Sequence, residues 1–239
     1  MSNTLYFYDL ETSSGRANGG RIMQFAGQRT DMNLMPIGKP DNILVKLSPD
    51  VLPDPFAILV HGITPQTANS DGISEAELIS YFTKEIAKPG TIFVGYNNVR
   101  FDDKFMSYSS YRSLRDPYDW YWRDSRSRWD LLDPIRMMRA LRPEGLEWPF
   151  ASDGKPTVSL SSMTAVNGIE HSNAHDALAD IEALIELAQK FNHSQPKLFK
   201  YLLENRGKKQ VAEIVGAGKS FVYTSGKYSG DYLKTPLAV

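Results

Sequence analysis

The sequence predicts an α/β protein, and three observations carry that expectation. The opening run LYFYDLETSS reads as an apolar strand, two more strand patterns follow it, and from residue 74 onward helical and strand patterns alternate. Within the first run Asp9 and Glu11 stand two residues apart, and on a strand such side chains share one face. Two like charges held that close in a half-buried strand call for a counter-ion. Oxygen ligands suit a hard divalent cation such as Mg²⁺ or Mn²⁺. A lone Asp-x-Glu pair also arises by chance on an exposed edge strand, so its weight depends on the rest of the chain.

Taken in order, residues 5–10 form the first strand; 21–31 and the stretch around 43–47 form the next two, joined by turn-rich segments as in an antiparallel meander. The loop SSGRANGG lies beside the paired acids. Residues 53–60 read as a short helix closed by HGITPQT, where His61 is taken as a structural residue before a turn. A helix over 74–87 opens on a capping box, Ser74 with Glu77, and stops before Pro89-Gly90. The apolar strand TIFVGYN then delivers Asn97, Asn98, Arg100, Phe101, Asp102 and Asp103 to the start of another helix. Ligands of α/β proteins gather at such strand ends, and Asp is also favoured in a first helical turn. Both uses fit here, with Asp102 facing in and Asp103 out.

All four tryptophans fall within residues 106–150, interleaved with tyrosines and a dense set of arginines. Rings that stack on bases beside guanidinium groups that hold phosphates are what a single-stranded nucleic acid groove needs. The same residues equally serve as core aromatics and surface cations. SRWDLLD reads as a further strand, PIRMMRAL as a helix, and RPEGLEWPFASDGKP as a loop. In HSNAHDALADIEALIELAQKF, the residues Ala177, Ile181, Leu184, Ile185, Ala188 and Phe191 form a buried helical stripe. Asp180 lies on the margin of that stripe, and His175 stands at the helix start, able to lean over the same place.

Composition narrows the chemistry. The 239 residues allow one large or two modest domains, and 41% hydrophobic with 23% charged residues is ordinary for a globular chain. With no cysteine, thiol catalysis, disulfides and cysteine metal sites are excluded, so a metal must be held by oxygen or imidazole. No stretch approaches a membrane span and the start is not a signal sequence, which makes the cytoplasm the expected location and excludes a membrane partner. A net charge of −1 means that any polyanion must be met by local positive charge.

Asp9, Glu11, Asp102, His175 and Asp180 have the order of the exonuclease pattern Asp-Glu-Asp-His-Asp. The sequence resembles the DEDDh branch of the 3′–5′ exonucleases, and within it the exodeoxyribonuclease I family, over roughly residues 5–205. YDLET, HGITPQ, GYNNVRFDD, DPYDWYW, SRWDLLD, ALRPEGLEWP and NGIEHSNAHDALAD carry the likeness. It implies a ribonuclease H-like fold, a mixed five-stranded sheet flanked by helices, and digestion of single-stranded DNA from its 3′ end to mononucleotides. It further implies Asp9, Glu11, Asp102 and Asp180 as ligands of a two-metal Mg²⁺ site, replaceable by Mn²⁺, with Asp9 bridging the ions and His175 as general base. Two cations roughly 3.5–4 Å apart suit attack of one anion on another.

For the substrate, the resemblance points to Leu10, through its backbone, and Thr12 at the terminal nucleotide, and to Asn98, Arg100, Tyr118, Trp122, Arg136 and Arg142 along the strand. One departure is Ser159 before Leu160, where relatives commonly carry a basic residue. Relatives also continue into an SH3-like and a helical domain, so the expected partition is an exonuclease domain over 1–194 and, over 195–239, a helix and the strand-like start of an SH3-like domain that stops short. A single-stranded DNA-binding protein is an implied partner of that longer architecture. Two other readings stay open at this level: an exoribonuclease of the same superfamily, and a nucleic acid-binding module without catalysis.

Overall fold

The computed structural model describes residues 3–171, 175–228, 230 and 233–238. The chain divides into two compact units, Met1–Arg128 with Ser172–Glu182, and Trp129–His171 with Ala183–Val239.

In the first unit β1 (Thr4–Thr12), β2 (Ile22–Thr30) and β3 (Asp41–Leu44) form the antiparallel meander that the strand patterns announce. β4 (Thr91–Gly95) pairs parallel with β1, and β5 (Ser127–Asp130) completes a mixed five-stranded sheet of order β3-β2-β1-β4-β5. Putting β1 at the centre explains its nearly unbroken apolar sequence, since both of its faces are covered. One face is a cluster of rings. Tyr6, Tyr8, Phe25, Phe82, Phe93 and Trp120 pack edge-to-face or stacked, with Phe93 and Trp120 centred 5.1 Å apart. Truncating one such ring to alanine typically costs about 3–5 kcal/mol. Gly27 is the space for one of them, since a Cβ there would lie 2.2 Å from Tyr6 Oη.

Helices α1 (Pro55–His61) and α2 (Pro65–Asp71) are short and capped by Asp54 and Thr64. α3 (Glu75–Tyr81) opens on the expected Ser74–Glu77 capping box, but the pattern over 74–87 is not α-helical throughout. Its last turn, Phe82–Ile86, is π-helical, with Thr83 Oγ1 bonded back to Ile79 O at 2.7 Å and both Phe82 and Ile86 buried. Such a back-bond bends a helix. α4 (Asp102–Arg112) follows β4.

The second unit contains α5 (Leu132–Leu141), α6 (Leu160–Val166), most of α7 (Ala177–Ser194), α8 (Pro196–Glu204) and α9 (Lys208–Gly216). The strand read from SRWDLLD ends at Asp130, whose Oδ1 accepts the Leu132 N–H at 3.1 Å and so turns the chain into α5. Ser159, the departure from the family pattern, caps α6 by accepting the Ser162 N–H. α9 carries Val211, Ile214 and Val215 at helical spacing but buries no residue. Of the strand-like stretch 221–239, two dipeptides pair, β6 (Phe221–Val222) and β7 (Leu237–Ala238). Among the described residues no helix is long and apolar enough to cross a membrane.

Candidate active site

The site stands at the C-terminal ends of β1 and β4, adjacent parallel strands whose last registered pair is Phe7 with Val94. Ligand sites of α/β sheets open at such ends. Two residues beyond Phe7 comes Asp9, and two further Glu11, both on the face opposite the ring cluster that holds Tyr8 and Leu10. Their cross-strand neighbours on β2 are Ala26 and Gln24, so a small side chain leaves room beside Asp9. A bulge between Glu11 and Thr12 ends the regular pairing.

From the far end of the sequence, α7 brings Asp180 and, two residues ahead of its start, His175. Glu11, His175 and Asp180 each offer one ligand atom, and these atoms lie within 4.8 Å of one another. The His175 N–H donates to Asp180 Oδ1 at 3.4 Å. His175 has a φ of +71°, a left-handed backbone that histidine adopts more readily than most residues but at a cost, and such strain concentrates at functional sites.

The electrostatics of this group ask for a cation. Asp9 is half-buried and closely surrounded by protein; desolvation first, and then the Asp180 charge, lift its carboxyl well above the ordinary carboxylate range. Burial, followed by the charges of Asp9, Asp180 and Asp176, pushes the Glu11 carboxyl up to about 9. All three of those charges are negative. Clustered carboxylates with one imidazole are a fitting donor set for a divalent metal.

Asp102 opens α4. Gly95 lets the chain double back, since a Cβ there would lie 2.6 Å from Asn98 Cβ, and the tight turn carries Asp102 to the helix start. Asp102 is buried, and its charge helps to raise the phenol pKa of Tyr8, after burial and the charge of Asp103. Asp103 does not face out as expected; it is as buried as Asp102, both 3% exposed. Its carboxylate takes the Tyr8 hydroxyl, the Asn98 Nδ2 at 3.1 Å and the Arg128 Nη1 at 2.6 Å. A first-turn acid with three donors waiting inside gains more there than from solvent.

The exonuclease family model matches residues 6–188. The chain belongs to the exonuclease family. It is 44% identical over 225 residues to exodeoxyribonuclease I of Haemophilus influenzae, covering 93% of this chain and 48% of that protein. Among solved structures, exonuclease I of Escherichia coli in complex with a dA16 oligonucleotide superposes with a TM-score of 0.95 at 42% identity, covering 99% of this chain and 51% of the other. A zinc-ion-bound form of the E. coli exonuclease I–single-stranded DNA complex superposes at 0.94, with 41% identity and cover of 99% and 51%. The chain thus spans about half the length of the relatives it matches. Its exonuclease domain has the expected ribonuclease H-like architecture, a mixed sheet flanked by helices.

The substrate-side residues are placed unevenly. Leu10 has its side chain in the ring-cluster core and is paired with Phe25 on β2. Thr12 is buried, and its carbonyl lies 3.3 Å from His61 Nε2. His61 therefore reaches the edge of this site, where burial lowers its pKa, the Thr12 contact opposes that, and His175 adds to it. Asn98 is wholly buried and serves Asp103. Arg100 is exposed, as are Tyr118 (57%) and Trp122 (60%). Tyr118 lines a cavity of about 390 Å³ with Tyr108, Tyr111, Tyr121 and Lys104. In the second unit, Arg136 pairs with Asp133 at 2.7 Å and Arg142 is exposed. Arg139 there is turned inward, over Trp148 and Phe150.

The raised carboxyls fix how stability depends on pH. Glu11 holds its proton more tightly folded than unfolded, so its contribution is full below about 4.5 and is lost as pH rises toward about 9. The metal-free chain should lose stability relative to Glu11→Gln across that window, by at most about 1.4 kcal/mol per pH unit. Mg²⁺ should reverse the trend, with a stabilisation that grows with pH. Thermal unfolding at several pH values in EDTA and in Mg²⁺ checks this; a parent-minus-variant difference that is flat with pH contradicts it.

Proposed function

We propose that the chain is a divalent-cation-dependent 3′–5′ exonuclease that digests single-stranded DNA to 5′-mononucleotides in DNA repair or recombination, with Mg²⁺ as its working ion. The observation that carries this reading is the convergence of Glu11, His175 and Asp180 within 4.8 Å, beside an Asp9 whose carboxyl is strongly perturbed. Support for the substrate comes from the 42% identity to a protein held with dA16.

In this reading Asp9, Glu11, Asp102 and Asp180 hold a pair of cations. When bound, such a pair lowers the pKa of water and offsets charge at the scissile phosphate and the leaving oxygen. The remaining work falls to the chain's own groups. His175 accepts one proton at an imidazole nitrogen as a water oxygen attacks phosphorus. The P–O3′ bond breaks, the terminal nucleotide leaves with its 5′-phosphate, and the shortened strand's 3′ oxygen takes a proton from solvent. The bond from the His175 N–H to Asp180 ties the base to a ligand, which limits how far the two can drift. The Leu10 backbone and Thr12 border the terminal nucleotide. Exposed Tyr118 and Trp122 offer stacking faces for bases, and Arg100, Arg136 and Arg142 offer charge for phosphates.

The test gives 3′-labelled single-stranded DNA, duplex DNA and RNA of one sequence to the purified chain, with Mg²⁺ and with chelator. Labelled mononucleotide should appear from single-stranded DNA in Mg²⁺ and not in chelator. Faster release from RNA would reassign the substrate, and release that persists in chelator would remove the cation from the mechanism.

A further inference from the structure

The first turn of α7 is held on the sheet by a residue that none of these catalytic roles uses. Gln24, 4% exposed on β2, is the register partner of Glu11. Directly paired residues on neighbouring strands share a face, so its side chain lies beside the Glu11 carboxylate. Its amide is bonded at both ends. Nε2 donates to Asp176 Oδ2 at 3.3 Å and to Asn42 Oδ1 at 2.9 Å, while Oε1 accepts the Ala177 N–H at 3.3 Å.

Asp176 is thereby shared between helix and strand. Its other oxygen caps α7, accepting the N–H groups of Leu178 and Ala179 at 3.1 Å. The Asp180 N–H closes the first helical bond onto Asp176 O at 3.0 Å, and the His175 N–H reaches Asp180 Oδ1. Asp180 belongs to the turn that Gln24 grips, and His175 is one hydrogen bond from it. A packing contact alone would be met by an apolar side chain. A glutamine among acids does something an apolar residue cannot: it donates to Asp176 without adding charge to a cluster whose members already repel.

We propose that Gln24 is a positioning residue for the cation site, pinning the first turn of α7 beside Glu11 and so setting where Asp180 and His175 stand. This rests on the divalent-cation reading above. Gln24→Met keeps the volume and loses all three bonds; Gln24→Asn keeps the chemistry but is one methylene short of reach. Gln28→Met is the control, on the same strand and face, also buried, but donating to the carbonyls of Arg29 and Ile37, away from α7.

Mn²⁺ affinity is measured by titration calorimetry on the chain without DNA, and heat stability in EDTA on the same samples. Gln24→Met should weaken Mn²⁺ binding about 10–100-fold, Gln24→Asn in the same direction, and Gln28→Met by less than about twofold even where its melting temperature falls. Parent-like affinity in Gln24→Met overturns the proposal, as it does in Gln24→Asn should the methionine variant not fold. An equal loss in Gln28→Met also overturns it, by making the effect one of general stability. A parent chain that binds no Mn²⁺ would be a different failure, that of the cation site itself.

Discussion

Asp9→Asn should give a chain that melts higher than the parent in EDTA, gains nothing from Mg²⁺, and releases no mononucleotide from single-stranded DNA. The three effects have one cause. Asp9 is surrounded by protein and faces the charge of Asp180, and both lift its carboxyl far above the ordinary range. Near pH 8 the folded, metal-free chain must therefore hold either a poorly solvated charge or a proton that the unfolded chain would release. Either is a cost, and a neutral amide of the same shape removes it. For a chain of this length each kcal/mol recovered raises the melting temperature by about 2–4 °C. The cation should bind more than about 100-fold more weakly, since even residues one bond removed from a metal cost 10–100-fold. Scanning parent and variant with EDTA and with Mg²⁺ should show their order reverse. A variant that melts below the parent in EDTA, or still gains from Mg²⁺, would mean that Asp9 is an ordinary structural acid.

Such a trade of stability for chemistry is visible in a sequence only in part. The period of a strand put Asp9 and Glu11 on one face, and the apolar stripe of α7 put Asp180 at its margin, because both signals are local. Asp103 escaped the same treatment. Its inward turn depends on Tyr8, 95 residues away, and on Arg128, 25 residues away, and no spacing within α4 announces either. Gln24 is legible only once the register sets it against Glu11, and Asp176 only once α7 is known to start at the next residue.

The aromatic and arginine-rich segment sorted itself by geometry rather than composition. Trp120 and Trp129 are core residues at 4% exposure, while Trp122, two residues from the first of them, is 60% exposed. A single short 3₁₀ turn over Asp119–Tyr121 holds Trp120 and ends at Trp122, and no periodic pattern marks such a turn. At the other end of the chain, α9 buries no residue and the β6–β7 pair is only two residues long on each side, so little there is fixed by a core.

His175→Ala should lower kcat by about 10²–10⁴-fold, the range of a lost general base, and leave Mn²⁺ affinity nearly unchanged. The geometry makes this a sharp distinction, because an imidazole nitrogen that shares a 4.8 Å group with two carboxylates could act as ligand or as base. Its exposure favours the second role. His175 is exposed where Glu11 is buried, and an exposed base can exchange its proton with solvent between turnovers. Alanine removes the ring but leaves the N–H that donates to Asp180, so the carboxylates should stay in place. Added imidazole should then restore part of the lost rate. His61 supplies the control: its ring is committed to Thr12 O and to the Ile63 N–H, so His61→Ala should cost far less turnover than His175→Ala. A collapse of Mn²⁺ affinity in His175→Ala, with no rescue by imidazole, would make His175 a ligand and leave the attacking water to lose its proton elsewhere.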